Sequence, residues 1–252
     1  MTKPSYSVVI ITYYKRFQEW FKPLLLEVKK QRPNCEVIVA VNGEISSFRE
    51  DFRKEILNFC AEFEKVYPIL YPRFRGFSRL CNLGIQFSPE ENVLILSDDI
   101  TLEEEFFKHY EDILNYTSVN PKEGQSFSIN GSFSAFSINK KDAIDINWFD
   151  ERFLGMGYED GDFIERYKYV KKVRRFPVLV TSSCRNTVDK NLPQLHNSKL
   201  EKFIESEERL VNQRLDESGR YSLFNKEVKE NKDFIQIQYP YEKYYLDNKD
   251  KL

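Results

Sequence analysis

The chain reads as an α/β protein with a mainly parallel central sheet flanked by helices, and three observations point there. Short β-branched runs alternate with stretches of helical periodicity, the pattern of βαβ units. Two of those runs, YSVVIIT from Tyr6 to Thr12 and EVIVAV from Glu36 to Val41, are continuously apolar in their centres, as strands covered on both faces are. A third run, from Asn92 to Ser97, stops abruptly on Asp98-Asp99. Carboxylates are costly inside an apolar strand but belong at its carboxyl end, facing the crevice where open α/β sheets bind ligands.

The elements follow in order. After the first strand, residues 18 to 30 carry Trp20, Leu24 and Val28 at helical spacing until Pro33 interrupts. The second strand ends at Asn42-Gly43, a turn signal. Phe52, Ile56, Phe59 and Phe63 mark an amphipathic helix over 48–64, and Val66 to Tyr71 a short third strand. Residues 78–87 read as a helix opened by Gly76, followed by the strand Val93 to Leu96. Thr101 is a cap for a helix over 102–116, whose first turn holds Glu103 to Glu105. The alternating run SFSINGSFSAFSIN, Ser126 to Asn139, suits a half-exposed strand or hairpin. Residues 160–170 are expected to be helical and 173–180 a strand. From about Leu200 the chain turns strongly charged, with a helix over 200–218 and a Tyr-rich tail over 234–246. The parallel crossovers are expected to be right-handed. This organisation divides into 1–100, a ligand-binding half, 101–199, a second half carrying the later acidic cluster, and 200–252, a helix and aromatic tail.

With 252 residues, the chain can form one large domain or two closely joined halves. Hydrophobic residues at 41% and charged residues at 31% are ordinary for a globular protein, and a net charge of -2 supplies no basic field for nucleic acid. Four cysteines without C-x-x-C spacing speak against a zinc ribbon or disulfide scaffold and for free thiols. No apolar stretch reaches the ~18 residues of a membrane span. Met1 to Ser5 run straight into a strand without the pattern of a signal peptide. The expected location is the cytoplasm, with the inner face of the membrane as a refinement.

Two acidic clusters carry the chemistry: Asp98-Asp99, and some sixty residues later Glu159-Asp160-Gly161-Asp162. Hard carboxylate oxygens suit Mg²⁺ or Mn²⁺, which use one or two protein carboxylates with phosphate oxygens and water. Adjacent residues leaving a strand point apart, so one Asp can meet a metal and its neighbour another group. The bland alternative is a turn and helix cap. The second cluster could equally complement a helix dipole. Three carboxylates in four positions exceed that need, and like charges crowded together raise a pKa towards that of a useful base. Gly155 and Gly157 just upstream allow a mobile turn, a candidate hinge.

In this order the clusters resemble the GT-A glycosyltransferases, specifically the family-2-type inverting enzymes of bacterial polysaccharide and lipopolysaccharide synthesis, over roughly residues 5 to 190. Tyr6 to Arg16 is similar to their "VSVIIPTYNR" strand, Gly76 to Gly84 (GFSRLCNLG) to "GxSxARNxG", and Leu94 to Ile100 to "hhhDxDh". Ser128 to Asp142 is similar to their acceptor-side strand. Phe149-Asp150-Glu151-Arg152-Phe153 with Gly157 to Asp162 is similar to "FDExFxxxGEDxD", the most specific of these motifs. The resemblance implies a GT-A, Rossmann-like sheet, a nucleotide-sugar donor, and a glycan or lipid-linked acceptor. It also implies an Mn²⁺ or Mg²⁺ cofactor and peripheral membrane association as a further partner. Residue by residue, it implies Asp98 on the nucleoside side, Asp99 on the metal, Asp160 as general base and Glu159 as its neighbour. Thr12, Tyr14 and Arg16 would line the nucleoside pocket, Arg79 and Asn82 would lie near the diphosphate or sugar, and His196 would be an added metal ligand.

The chain also departs from the pattern. Ser97 stands at the first Asp of DxD, Cys81 where Arg is common, and Asn42 where many relatives carry an Asp for the base; Asn42 could still hydrogen-bond a uracil edge. The basic stretch Arg166, Lys168, Lys171, Lys172, Arg174 and Arg175 reads as a solvated face, with anionic lipid contact as its alternative. His109 reads as structural. A sugar-nucleotide pyrophosphorylase or a Rossmann dehydrogenase would need a glycine-rich loop after the first strand, where Thr12 to Arg16 has no glycine. The remaining alternative is a non-catalytic nucleotide-sugar or glycan-binding member within a larger synthase.

Overall fold

The computed structural model describes residues 5–43, 49–72, 75–119, 125–151 and 159–187. The expected helix over 200–218, the Tyr-rich tail, His196, Gly155 and Gly157 lie outside these residues.

Four parallel strands form the centre: β1 (Ser7–Thr12), β2 (Glu36–Val41), β3 (Val66–Leu70) and β4 (Asn92–Ser97). With β6 (Phe127–Ile129), β7 (Ser132–Asn139) and β8 (Val178–Leu179) they make a seven-stranded sheet of order β3-β2-β1-β4-β7-β6-β8, in which β7 runs antiparallel. The chain moves outward from β1 to β3 and then returns to the other side of β1 with β4. The boundary between β1 and β4 is therefore the topological switch point, where crossovers leave to opposite faces and a crevice opens. The helices are α1 (Lys22–Gln31), α2 (Glu50–Ala61), α3 (Phe77–Phe87), α4 (Phe106–Val119), α5 (Lys140–Asp145) and α6 (Glu159–Lys171). A 3₁₀ turn (Tyr14–Arg16) and a π turn (Phe17–Phe21) lead from β1 into α1.

The continuous apolar strands divide residue by residue between two cores. Val8, Ile10, Val39, Leu94 and Leu96 face a layer containing Leu25, Val28, Ile56, Phe106 and Tyr110. Val9, Ile11, Ile38, Val93 and Ile95 face Leu80, Ile85, Phe149, Phe163 and Phe176. Much of the phenylalanine content closes these layers. Phe149 and Phe163 stack at 4.2 Å between ring centroids, and Phe133 and Phe136 at 4.6 Å. Such pairs contribute about 0.5–1.5 kcal/mol each beyond their buried area.

Several expectations change. Thr101 is not a helix cap: Ile100–Leu102 is β5, paired antiparallel with β9 (Cys184–Asn186), and the helix starts at Phe106. Cross-strand partners more than 80 residues away, which no local pattern reveals, decide this. The run Ser126 to Asn139 is a hairpin, but a buried one. Its serines are small enough to enter the sheet interior, and Ser137 is satisfied by Tyr110 Oη at 2.9 Å. The strand expected over 173–180 shrinks to Val178–Leu179. The basic stretch is only partly a solvated face. Arg166 is buried, bound to Asp162 at 2.6 Å, and donates to the carbonyls of Ile146 and Trp148 at 2.5 Å. It thereby holds Asn147 and Trp148, both in the left-handed region with φ of 62° and 64°, a conformation that bulky side chains adopt only under constraint. Lys171 likewise ties α6 to α5 through Asp142 and Asp145.

Helix α3 lies so close on β1 that a Cβ at Gly84 would fall on the Val9 methyl groups. Gly84→Ala is expected to cost roughly 1–3 kcal/mol in urea unfolding, as overpacking of a filled core does. A double-mutant cycle with Val9→Ala is expected to show favourable coupling; strict additivity would place the strain elsewhere.

Candidate functional site

Strand register assembles the site. Ile11 pairs with Ser97, Thr12 with Val41, and Leu96 with Ala135. The carboxyl ends of β1, β2 and β4 therefore finish on one rim, beside the start of antiparallel β7. A cavity of about 250 Å³ opens there, walled by residues from each of these ends and by Glu159 and Asp160 of α6.

Asp98 and Asp99 form the tight turn between β4 and β5, and both are buried, at 2% and 5% exposure. The pairing of β5 with β9 fixes this turn from behind, where the Thr187 N–H donates to the Asp99 carbonyl at 2.8 Å. Their counter-charge comes from across the switch point. Arg16, itself 4% exposed, places Nη1 at 2.6 Å from Asp98 Oδ1 and Nη2 at 3.2 Å from Asp99 Oδ2. Burial nevertheless pushes the Asp98 carboxyl up to about 6, against the opposing pull of Arg16.

Among the described residues each carboxylate keeps one oxygen, Oδ2 of Asp98 and Oδ1 of Asp99, buried without a hydrogen-bond partner. Two unsatisfied anionic oxygens in one cavity wall, with no nitrogen or sulfur ligand beside them, fit a hard cation such as Mg²⁺ or Mn²⁺. Among the described residues no three His, Cys, Asp or Glu side chains group around one point. A cation here would therefore complete its shell with ligand oxygens and water.

Of the residues expected to line a nucleoside pocket, only some line the cavity. Thr12 and Arg16 line the cavity, as does Tyr13. Tyr14 instead turns outward, against Phe52 and under the Arg49 guanidinium, which lies 3.8 Å from its ring centroid. Asn42 lines the cavity, but its amide is engaged by the backbone of Arg75: Nδ2 donates to the Arg75 carbonyl at 3.0 Å, and Oδ1 accepts from the Arg75 N–H at 2.9 Å. Its role here is to pin the chain before α3 and carry Arg75 into the cavity wall. Arg75 escaped the sequence reading because nothing in its local spacing marks it.

Arg79 and Asn82 are not among the cavity residues either. Asn82, fully buried, clamps Phe149 by donating to its carbonyl and accepting from its N–H, both at 2.9 Å. Its Nδ2 also reaches Glu151 Oε1 at 2.9 Å, and Arg79 Nη1 lies 3.1 Å from Glu151 Oε2. Glu151 is 0% exposed, so this pair and amide carry a buried charge that would otherwise be costly. Arg79 and Asn82 of α3 and the stretch Phe149 to Glu151 are thus two halves of one clamp. At the start of α6 the acids divide: Glu159 and Asp160 line the cavity, whereas Asp162 faces Arg166 in the scaffold. Asp160 is the half-exposed one, and its Oδ1 accepts from the Gly161 N–H at 2.8 Å. At the same rim, Ser132 and Ser134 of β7 add hydroxyls to the wall, with Asn186 of β9 donating to Ser134 Oγ at 2.9 Å. His109 packs with Thr181 and Ser183, at 3.2 Å from each hydroxyl, away from the cavity. Among the described residues no helix is long and apolar enough to cross a membrane.

No model of a known protein family matches the chain, and no curated protein matches it. Solved structures do. TarS of S. aureus, residues 1–349, in complex with UDP-GlcNAc aligns at TM-score 0.56 and 17% identity, covering 80% of this chain and 64% of that one. A longer TarS structure aligns at TM-score 0.56 and 15% identity, with 84% and 44% covered. The mannosyltransferase PcManGT from Pyrobaculum calidifontis, in complex with GDP-Man and Mn²⁺, aligns at TM-score 0.54 and 12% identity, with 81% and 62% covered. The chain spans less than two-thirds of the length of each of these structures. At such identities the likeness is one of fold: a mainly parallel sheet between helices, built as in GT-A-like glycosyltransferases.

Proposed function

We propose that the chain is a glycosyltransferase. It moves a sugar from a nucleotide-activated donor, a UDP-sugar in the first instance, to a hydroxyl of a glycan or lipid-linked acceptor, with inversion at the anomeric carbon. The observation that carries this reading is the cavity at the switch point. There Asp98 and Asp99 with buried unsatisfied oxygens share one wall system with Glu159 and Asp160. The solved relatives in complex with UDP-GlcNAc and with GDP-Man and Mn²⁺ support the donor class.

The electrostatics favour the same ligands. Among the described residues four carboxylates and two guanidinium groups, Arg16 and Arg75, line the cavity, so against these a bare diphosphate meets net negative charge. Asp99, with Asp98 beside it, would hold a divalent cation that offsets this charge. Bound Mg²⁺ or Mn²⁺ would supply neutralisation of the charge that develops on the leaving diphosphate. Thr12, Tyr13 and Arg75 are placed to contact the nucleotide, and Asn42 to hold Arg75 in position. Asp160, half-exposed on the same cavity, would accept the proton of the acceptor hydroxyl as it attacks, with Glu159 orienting that hydroxyl. Ser132 and Ser134 offer hydrogen bonds to a polyhydroxylated acceptor. Attack on the face away from the departing diphosphate inverts the anomeric centre, and a positioned base contributes roughly 10²–10⁴ to such a step. A binding-only role is the second reading, favoured by Ser97 in place of a third carboxylate.

Asp160→Asn separates the two. Turnover of UDP- and GDP-sugars is expected to fall by roughly 10²–10⁴ while calorimetric UDP binding stays within a few-fold. A wild-type chain that binds nucleotide but turns over no donor, even by hydrolysis, would establish the binding role instead. Asp99→Asn is expected to abolish the Mn²⁺-dependent increment in nucleotide affinity with an unaltered circular dichroism spectrum. Retention of that increment would remove Asp99 from the cation site.

A further inference from the structure

Arg16 occupies the carboxylate pair that the reading above assigns to donor and cation, and the present inference rests on that reading. Its guanidinium is unequally shared, 2.6 Å from Asp98 and 3.2 Å from Asp99. Its backbone is held independently by the 3₁₀ turn, whose Arg16 N–H donates to the Tyr13 carbonyl at 3.0 Å. The side chain can therefore pivot without moving the strand. Two nearly buried carboxylates in one turn would be costly without a counter-charge, and the Arg16 guanidinium lies on both. A divalent cation entering beside that guanidinium would meet like charge at short range in a poorly solvated wall.

We propose that Arg16 is an internal counter-ion that competes with the divalent cation. While no donor is bound it holds Asp98 and Asp99. When a nucleoside diphosphate enters, the guanidinium moves from Asp99 to the phosphate oxygens, for which its planar fork is suited, and Asp99 becomes free for the cation. Nucleotide and cation then bind cooperatively, each strengthening the other by the same factor, as linkage requires. The more weakly held partner, Asp99, is the one released.

The test uses MnCl₂ alone, then MnCl₂ with UDP and with GDP, on wild type, Arg16→Gln and Arg16→Lys. Free Mn²⁺ is followed by electron paramagnetic resonance, and thermal melts are run in parallel. The wild type is expected to bind Mn²⁺ alone weakly and roughly tenfold or more tightly with its nucleotide, an ordinary coupling strength. Arg16→Gln is expected to bind Mn²⁺ alone more tightly than wild type, to lose most of the nucleotide enhancement, and to gain more melting temperature from Mn²⁺. That gain is one that simple damage to the fold would not produce. Arg16→Lys keeps the charge but not the fork and covers the case in which the Gln variant does not fold. It is expected to keep Mn²⁺ weak while losing part of the coupling. Wild type that binds Mn²⁺ equally well with and without nucleotide overturns the inference. So do variants whose Mn²⁺ affinity and coupling match wild type; in both cases the transferase reading stands. Wild type that binds neither any nucleotide nor Mn²⁺ overturns the reading and the inference together.

Discussion

A strand covered on both faces has nowhere along its length to keep a charge. In this protein Val8 to Ile11, Val37 to Val41 and Val93 to Leu96 are buried on alternating sides of one sheet. Polar chemistry is therefore driven to the strand ends, and parallel pairing of β1, β2 and β4 brings three of those ends to the same rim. The strand order adds the rest. Because β4 returns beside β1 and not beside β3, the arginine that follows β1 faces the aspartates that follow β4. The charge pair at the mouth of the cavity is a consequence of sheet topology.

The second half of the site depends on a different constraint, the burial of Glu151. A fully buried carboxylate needs charge and hydrogen bonds, and Arg79 and Asn82 supply them from α3. Asn82 also clasps Phe149 by both backbone groups, so α3 and the stretch Phe149 to Glu151 are held together. Arg166 and Asp162 repeat the device within α6, fixing the strained Asn147-Trp148 bend. Between these two anchored buried charges the start of α6 presents Glu159 and Asp160 to the cavity. The acidic motif thus divides: Asp162 is held by Arg166, whereas Glu159 and Asp160 line the cavity.

Periodicity made the main strands and helices legible, because a run such as VLIL is satisfied only where apolar groups cover both faces. It failed where distant partners decide. Thr101 carries every local sign of a cap, yet Cys184 to Asn186 arrive to pair with its neighbours and extend it as a strand. Ser126 to Asn139 alternates like a half-exposed strand, yet small hydroxyl side chains with buried partners pass into the interior. The site was legible to a similar degree. Thr12, Arg16, Asp98, Asp99, Glu159 and Asp160 carry polar groups at strand or helix ends, which sequence marks directly, and all line the cavity. The motif resemblance implies a donor contact for Arg79, Asn82 and Tyr14, but none of the three lines the cavity: Arg79 bonds Glu151, Asn82 bonds Phe149, and Tyr14 packs on Phe52.

By itself, then, the sequence determined the α/β class, the buried strands and the two acidic clusters, since each follows from what neighbouring residues can bury or must expose. Only the tertiary structure decided the partners. That Arg16 sits on Asp98 and Asp99, and that Asn42 spends its amide on Arg75, are facts of geometry between separate elements. A buried polar group is indifferent to which residue satisfies it, and sequence spacing carries no record of that choice. Strand order and register made it.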